Sequence, residues 1–194
     1  AAVEDAMEVG RSGVVVAGSS QWFVEAFALA PRLVVFGAVD VARPLVRLAH
    51  ELGFRVVVVD PRAAFLTRER FAAADELLAG WPDEVADRLG LAATDSVAVL
   101  THDPKLDDPA IVAAIRAGCR YVGAIGSRRT QDARHARLAA AGVAEDEIAR
   151  LRGPIGLDLG GREPAETALS ILAEVVAVRY AASGGSLMAR PVAR

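Results

Sequence analysis

Short, continuously apolar runs alternate with segments of helical periodicity from Arg32 onward, and this alternation constrains the fold more than any other feature. The apolar runs end just before Gly37, at Asp60 and just before Thr101, and they predict strands that are buried on both faces. Residues 41–52 and later segments carry apolar side chains at helical spacing. Buried strands separated by helices predict an α/β fold of the Rossmann-like, doubly wound class, with a mostly parallel sheet and helices on both faces.

The same pattern divides the chain into three predicted parts. Residues 31–181 carry the alternation and form the predicted Rossmann-like domain. Residues 1–30 depart from it, and the stretches 13–18 and 21–27 predict a hairpin or the last piece of a preceding β-rich domain. Residues 182–194 are rich in Gly and Ser and are predicted to be a flexible tail. A chain that begins Ala-Ala is expected to be a fragment, and exchange of its free-edged β segment between protomers predicts a homodimer.

The composition excludes several classes of protein. The 194 residues are 53% hydrophobic and 24% charged, which is the balance of a globular domain. The net charge of −3 gives no general attraction to nucleic acid, and no apolar run reaches the length of a membrane span. Because there is no signal-peptide pattern, the chain is expected in the cytoplasm. The single cysteine, Cys119, excludes a disulfide framework and a cysteine-rich zinc site, and no metal site is predicted.

The segment 121–129, YVGAIGSRR, predicts an anion site at a strand-to-helix turn. A buried strand runs into Gly126 and Ser127, and the helix that follows opens with Arg128 and Arg129. Free backbone N–H groups and the positive end of the helix dipole favour an anion at such a turn. Ser127 can cap the helix, while the arginines add positive charge with fork geometry. The predicted ligand is a phosphate or pyrophosphate, and the alternative is an ordinary capped helix with two solvated arginines.

The loop after the first domain strand carries an incomplete dinucleotide-binding fingerprint. In the sequence GAVDVA, Gly37 and Ala42 match the first and last positions of that fingerprint. Val39 stands where a glycine normally lets the backbone approach a pyrophosphate, and Asp40 adds negative charge nearby. The loop is therefore typical of a nucleotide-binding fold but is poorly suited to NAD.

Asp60 ends the second domain strand and Arg62 comes two residues later, and both are further candidate binding residues. An acidic group about 20 residues past the glycine loop usually holds a ribose hydroxyl. The alternative for Asp60 is a strand-end carboxylate that caps its own turn. In a doubly wound sheet, ligands bind beyond the carboxyl ends of the strands. The four loops that are expected to converge there are residues 37–40, 60–65, 101–108 and 126–129.

The segment 101–108, THDPKLDD, places a polar cluster directly after a strand. Thr101, His102, Asp103 and Lys105 are its candidate binding residues, and His102 can serve as a proton shuttle or metal ligand. A metal is disfavoured because no second His or Cys has ligand spacing.

Structural roles are the alternative for the acidic residues of this cluster. Asp103 precedes a proline and can form a turn, while Asp107 and Asp108 can cap a helix predicted for residues 109–117. Further along, Asp158 lies between glycines in the sequence GPIGLDLGG. These glycines indicate either close approach of the backbone to a ligand or a β-turn with a structural carboxylate.

Together these segments resemble the XdhC/CoxI family, the accessory proteins of xanthine dehydrogenase and carbon monoxide dehydrogenase. The matching stretches cover most of residues 31–180, and they are VVFGAVDVARPL, VVDPRAAFLTRERF, VLTHDPKLDDPAI, YVGAIGSRRT and GPIGLDLGGREPAETALSILAEVVAVR. The resemblance implies a Rossmann-type C-terminal domain with a role in maturing molybdenum hydroxylases. Family members are understood to bind molybdenum cofactor, support its sulfuration and deliver it to the apo-enzyme. Full-length relatives carry a preceding domain with a cysteine-containing motif of the GGCVE type, which does not occur in this sequence.

The resemblance implies a cofactor chaperone without catalytic residues or turnover of its own. Its implied partners are a molybdenum hydroxylase apo-enzyme and a sulfurtransferase. The phosphate of molybdopterin suits the turn at Arg128 and Arg129, the 101–105 segment suits the pterin edge, and Asp60 suits a ribose if the cofactor carries a nucleotide.

Two alternatives stay open at this stage. The first is an NAD(P)-dependent oxidoreductase, which Val39 and the lack of an evident hydride-transfer pair disfavour. The second is a structural or regulatory domain with a vestigial pocket.

Overall fold

The computed structural model describes residues 12–17, 19–25, 27 and 29–189, and the chain divides at Pro31 into two compact units. In the first unit, strand β1 (Gly13–Ala17) pairs antiparallel with strand β2 (Ser20–Val24). The hairpin predicted for this region is thus present. Residues 1–11 of the predicted N-terminal piece and residues 190–194 of the predicted tail lie outside the described residues.

The described part of the second unit contains a parallel sheet of six strands, in the order β5-β4-β3-β6-β7-β8. Its strands are β3 (Arg32–Phe36), β4 (Arg55–Asp60), β5 (Glu76–Ala79), β6 (Ser96–Val99), β7 (Tyr121–Ala124) and β8 (Leu151–Arg152). Its helices are α1 (Ala42–Glu51), α2 (Pro82–Leu89), α3 (Pro104–Arg116), α4 (Arg128–Ala140), α5 (Glu145–Ile148) and α6 (Pro164–Arg179). Short 3₁₀ turns occur at Ala63–Phe65 and Leu187–Ala189.

The two faces of the sheet carry separate apolar cores. Along β3, Leu33 and Val35 belong to the core formed with α1 and α6, whereas Val34 and Phe36 belong to the core formed with α2, α3 and α4. All four side chains are buried, which explains why the strand is apolar without alternation. The sequence-based prediction of a doubly wound Rossmann-like sheet, covered on both faces, is confirmed.

The strand order reverses between β3 and β6, which makes this point the topological switch of the sheet. Phe36 pairs with Val59 of β4 on one side and with Val99 of β6 on the other. Gly37 follows at a φ of +112°, and a Cβ there would lie only 2.6 Å from Cγ2 of Thr101. Glycine is therefore needed at this position both for its φ and for the close approach of the two loops. Ligands of open α/β sheets bind at such a switch point.

Two of the local predictions were wrong. Helix α3 begins at Pro104, five residues before the predicted start, because Asp103 caps it by accepting a hydrogen bond from the backbone N–H of Lys105 over 3.0 Å. Asp107 and Asp108 therefore lie inside the helix and do not cap it. The sequence of residues 145–151 also predicts a short helix, but α5 ends at Ile148, and Leu151 joins the edge of the sheet in β8.

Candidate functional site

The turn between β7 and α4 has the geometry of an anion site. Gly126 takes a φ of +131°, which favours glycine, and turns the chain into the helix. Ser127 is the N-cap, and its Oγ accepts a hydrogen bond from the backbone N–H of Thr130 over 3.3 Å. Within the described residues, the backbone N–H groups of Arg128 and Arg129 find no acceptor. They are the free donors that open a helix, at the positive end of its dipole.

The side chains of Arg128 and Arg129 are exposed and carry uncompensated positive charge. Neither guanidinium forms an ion pair or hydrogen bond with any residue that the structure describes. Most other arginines near the strand ends are bound, for example Arg62 to Asp60 and Arg134 to Asp107. The combination of free N–H groups and free guanidinium groups can bind a phosphate through several charge-assisted hydrogen bonds.

The loop after β6 lies beside this turn, because Val99 and Ala124 are paired at the ends of adjacent strands. In this loop His102 and Lys105 are exposed, and their side chains have no partner among the described residues. Thr101 is buried, and its hydroxyl donates a hydrogen bond to Asp107. The sheet thus brings the predicted 101–105 and 126–129 segments together at the carboxyl ends of β6 and β7.

Asp60, at the end of β4, is fully buried and already has four hydrogen bonds. One carboxylate oxygen accepts from the backbone N–H of Ala38 over 2.7 Å, and each oxygen accepts from the guanidinium of Arg62 over 2.8 or 2.9 Å. The backbone N–H of Arg62 supplies the fourth bond over 2.9 Å. Burial opposes ionisation, but the hydrogen bonds from Arg62 and Ala38 outweigh it and hold the pKa of Asp60 below its ordinary value.

The Gly37–Asp40 loop is held by an arginine that the sequence analysis did not single out. Arg70 donates a hydrogen bond to the carbonyl oxygen of Ala38 over 3.1 Å and lies 3.9 Å from the exposed carboxylate of Asp40. Its guanidinium lies 5.5 Å from the ring centre of Phe65, and that of Arg62 lies 4.6 Å from the same ring. No spacing in the sequence indicates this cluster, because the β3–α1 loop and the long β4–β5 connection meet in it.

A second feature absent from the sequence analysis is a buried ion pair between α3 and α4. Asp107 and Arg134 are each 1% exposed and are joined by a hydrogen bond of 2.7 Å. Burial raises the pKa of Asp107 above its ordinary value, although Thr101 and Arg134 both donate to its carboxylate. The pair is connected to the 101–105 loop through Thr101 and to the backbone just before the 126–129 turn through Ile125.

Asp158 lies in a loop that is held against α6. The backbone N–H of Gly156 donates to the carboxylate of Glu174 over 2.9 Å, and the backbone N–H of Leu157 donates to the carbonyl oxygen of Ser170 over 3.2 Å. The carboxylate of Asp158 itself is exposed, and no residue in the described part of the chain pairs with it. The loop also reaches the end of β7, since the backbone N–H of Ile155 donates to the carbonyl oxygen of Ala124.

The described part of the chain offers little to a metal ion. Cys119 is 1% exposed, and burial raises the pKa of its thiol to about 11, so a metal-binding thiolate is not available there. No three His, Cys, Asp or Glu residues of the described ranges come close enough together to hold a metal. Nor is any described helix long and apolar enough to cross a membrane.

Comparison with known proteins identifies relatives for most of the chain. The family model of the XdhC Rossmann domain matches residues 33–175. A probable xanthine dehydrogenase component of Bacillus subtilis (strain 168) is 30% identical over 161 residues, which are 83% of this chain and 47% of that protein. The molybdenum cofactor insertion chaperone PaoD of Escherichia coli (strain K12) is 38% identical over 84 residues, which are 43% of this chain and 26% of PaoD.

A solved structure supports the same relationship. A xanthine dehydrogenase from Bacillus halodurans superposes with a TM-score of 0.70 at 26% identity, over 88% of this chain and 47% of that one. The chain thus spans less than half the length of each of these relatives. The family model covers more than half of the chain, and the chain belongs to the XdhC Rossmann-domain family.

Proposed function

We propose that this chain is the Rossmann domain of an accessory factor for a molybdenum hydroxylase of the xanthine or carbon monoxide dehydrogenase type, and that it binds molybdenum cofactor for delivery to the apo-enzyme. Membership of the XdhC family and the similarity to PaoD, a molybdenum cofactor insertion chaperone, support this role. The observation that carries the proposal is the pair of unpaired guanidinium groups on Arg128 and Arg129, beside free N–H groups at the start of α4.

The donor groups of this site are chemically suited to the phosphate and the pterin of molybdenum cofactor. The phosphate of molybdopterin needs cations and N–H donors, and Ser127, Arg128 and Arg129 lie where such donors are free. His102 and Lys105 are exposed beside them and can hydrogen-bond to the pterin edge. The molybdenum and its sulfur ligands are not expected to bind Cys119, because that thiol is buried.

Other predicted binding residues either shape the loops or are proposed contacts at the periphery of the site. Gly37 and Asp60 shape the loops on the β3–β4 side, since Asp60 has no acceptor position left for a ribose. Arg62, which is half-exposed, is the proposed contact for a nucleotide extension of the cofactor. Asp40 and Asp158 are exposed carboxylates that can accept hydrogen bonds from pterin or ribose donors.

The alternative of an NAD(P)-dependent oxidoreductase gains no support from the site. A ribose diol needs free carboxylate oxygens at the end of β4, and both oxygens of Asp60 are bound to Ala38 and Arg62. Titration of the full chain with NAD(H), NADP(H) and molybdopterin separates the two functions. Nicotinamide-linked turnover would count against the chaperone role.

The decisive experiment compares two double variants in binding of molybdopterin and of inorganic pyrophosphate, a simpler probe of the phosphate site. Arg128→Ala with Arg129→Ala is expected to weaken both by about 1–3 kcal/mol, because charge-assisted hydrogen bonds are lost. Arg88→Ala with Arg116→Ala is the matched control, since it removes the same charge from exposed arginines in the last turns of α2 and α3. Equal affinities for the two double variants would refute the site.

A homodimer, a sulfurtransferase partner and a cytoplasmic location are further parts of this proposal. The dimer is supported by the hairpin of β1 and β2, where Trp22 and Phe23 are 60% and 71% exposed. A two-stranded hairpin is marginally stable in water unless more strands or a core join it, and a second copy supplies both. Sedimentation is expected to give a dimer for the wild type and a monomer for Trp22→Ser with Phe23→Ser. A monomeric wild type would contradict the dimer.

A further inference from the structure

A buried hydrogen-bond network links the two loops that carry the candidate anion site. The hydroxyl of Thr101 donates to one carboxylate oxygen of Asp107, and Nη2 of Arg134 donates to the other oxygen over 2.7 Å. The same Nη2 lies 3.2 Å from the carbonyl oxygen of Ile125, and Nη1 donates to the side-chain oxygen of Gln131. One network thus reaches the end of β6 through Thr101 and the end of β7 through Ile125.

Gln131 extends this network to the turn itself. Its amide nitrogen lies 3.1 Å from the carbonyl oxygen of Ala124, 3.3 Å from that of Ile125 and 3.4 Å from that of Gly126. The carboxamide also lies against the next loop, because a Cβ on Gly153 would approach it to 2.4 Å. The backbone that leads into the anion site is therefore held by one side chain of α4.

Stability alone does not account for a pair buried in this way. Taking two charges out of water costs several kcal/mol per ion, and apolar pairs of similar volume are often as stabilising or more so. Nε of Arg134 adds to this cost, because it is buried and has no hydrogen-bond acceptor among the described residues. What an apolar pair cannot do is fix the orientation of Thr101 and Gln131 through directional bonds.

We infer that Asp107, Arg134 and Gln131 are positioning residues, which order the 101–105 and 126–129 loops for anion binding without touching the ligand. The binding of an anion by these loops rests on the proposed function. The ordering of the loops belongs to the protein alone, and it can be measured with no ligand present.

The chain contains a matched control for this inference. Arg137 and Asp108 form a second ion pair between the same two helices, with distances of 2.6 and 3.0 Å. This outer pair is partly exposed and has no hydrogen bond to either loop. A role in holding α3 to α4 is common to both pairs, whereas a role in ordering the loops belongs to the inner pair of Asp107 and Arg134.

The experiment replaces each pair with apolar residues in the full chain, as Asp107→Leu with Arg134→Met and as Asp108→Leu with Arg137→Met. Thermal unfolding is expected to shift by less than about 4 °C in both double variants. Amide hydrogen exchange without ligand is expected to speed up about tenfold at Leu106 and Thr130 in the inner variant alone, because the acceptors of these two amides, Asp103 and Ser127, lie in the two loops. Pyrophosphate affinity is expected to fall about tenfold in the same variant, because misplaced binding groups lose directional bonds.

Equal exchange rates in the inner and outer variants would overturn the inference, whatever the affinities. If the inner double variant fails to fold, Gln131→Met replaces it and removes only the bonds to the turn. This variant is expected to speed up exchange at Thr130 and leave Leu106 protected, and unchanged protection of Thr130 would overturn the inference. A wild-type chain that does not bind pyrophosphate would refute the proposed site, while the exchange rates still decide the positioning role.

Discussion

The charged residues on the two sides of the switch point differ in whether they have partners. On the β3–β4 side, Asp60 is buried, and Arg62 and the N–H of Ala38 saturate its carboxylate. On the β6–β7 side, a buried pair lies behind the loops, and the cations in front of it, Arg128 and Arg129, have no partner within the described residues. At the carboxyl ends of the strands, the charged groups are therefore fully paired on the β3–β4 side and partly unpaired on the β6–β7 side.

The difference separates charges that hold the fold from charges available to a ligand. A carboxylate with every acceptor position occupied gains nothing from a hydroxyl that must displace an existing bond. An exposed guanidinium at a helix N-terminus still has donors to offer an incoming phosphate. On this basis we propose the β6–β7 side as the principal binding surface and the β3–β4 side as its support.

The largest expected effect is a loss of stability on the β3–β4 side, where the charges are paired. Asp60→Ala is expected to lower the free energy of unfolding by about 3 kcal/mol, because it leaves the N–H of Ala38 and the guanidinium of Arg62 without their acceptor. Urea denaturation measures the loss. Asp158→Ala is the control and is expected to change stability by less than about 0.5 kcal/mol. A stable Asp60→Ala variant that binds pyrophosphate more weakly would reverse the assignment of the two sides.

The junction between the sides is expected to be the next most sensitive point. Gly37→Ala is expected to cost about 2 kcal/mol of stability, since the new Cβ meets Thr101 and the φ of +112° is strained for alanine. Gly53→Ala isolates the backbone term, because its φ is +75° and nothing lies within 4 Å. Its expected cost is about 1 kcal/mol. Equal losses in the two variants would show that the loops do not press on each other there.

Low pH is expected to reduce the stability that Asp60 contributes on the β3–β4 side. The pKa of Asp60 is lowered in the folded state, so its contribution to stability is complete above the unfolded pKa and is lost as pH falls through the folded pKa. The stability gap between the wild type and Asp60→Asn is therefore expected to narrow below about pH 4. Urea denaturation across this range measures the gap. A gap that stays constant would mean that charge is not what Asp60 contributes.

The smallest expected effect on pyrophosphate binding concerns Arg62, which is paired with Asp60 on the β3–β4 side but is half-exposed. Arg62→Ala is expected to cost about 1–2 kcal/mol of stability, because it leaves the buried carboxylate of Asp60 with only two backbone N–H donors. Pyrophosphate affinity is expected to stay unchanged, while affinity for a nucleotide-extended cofactor falls. A drop in pyrophosphate affinity as large as that of the Arg128 and Arg129 double variant would remove the distinction between the two sides.

Sequence patterns predicted the sheet, the strand-to-helix turn and the exposed cations. The apolar runs before Gly37 and Thr101 are local signals, and so is the succession of Gly126, Ser127 and Arg128. Prediction of the start of α3 failed because two prolines compete within six residues. Asp103 provides a cap for a helix that begins at Pro104, and the helix then continues through Pro109.

Which charges are paired was decided by the tertiary structure. Asp60 meets the N–H of Ala38 only because β3 and β4 are adjacent, and Asp107 meets Arg134 only because α3 packs against α4. Such contacts join residues more than 20 positions apart, and periodicity encodes burial but not partners across elements. The sequence alone determined a Rossmann-like chain and the strand-to-helix turn at which we propose an anion site. The packing of its elements determined which polar groups remained free for a ligand, because directional bonds form only between groups that the fold brings within reach.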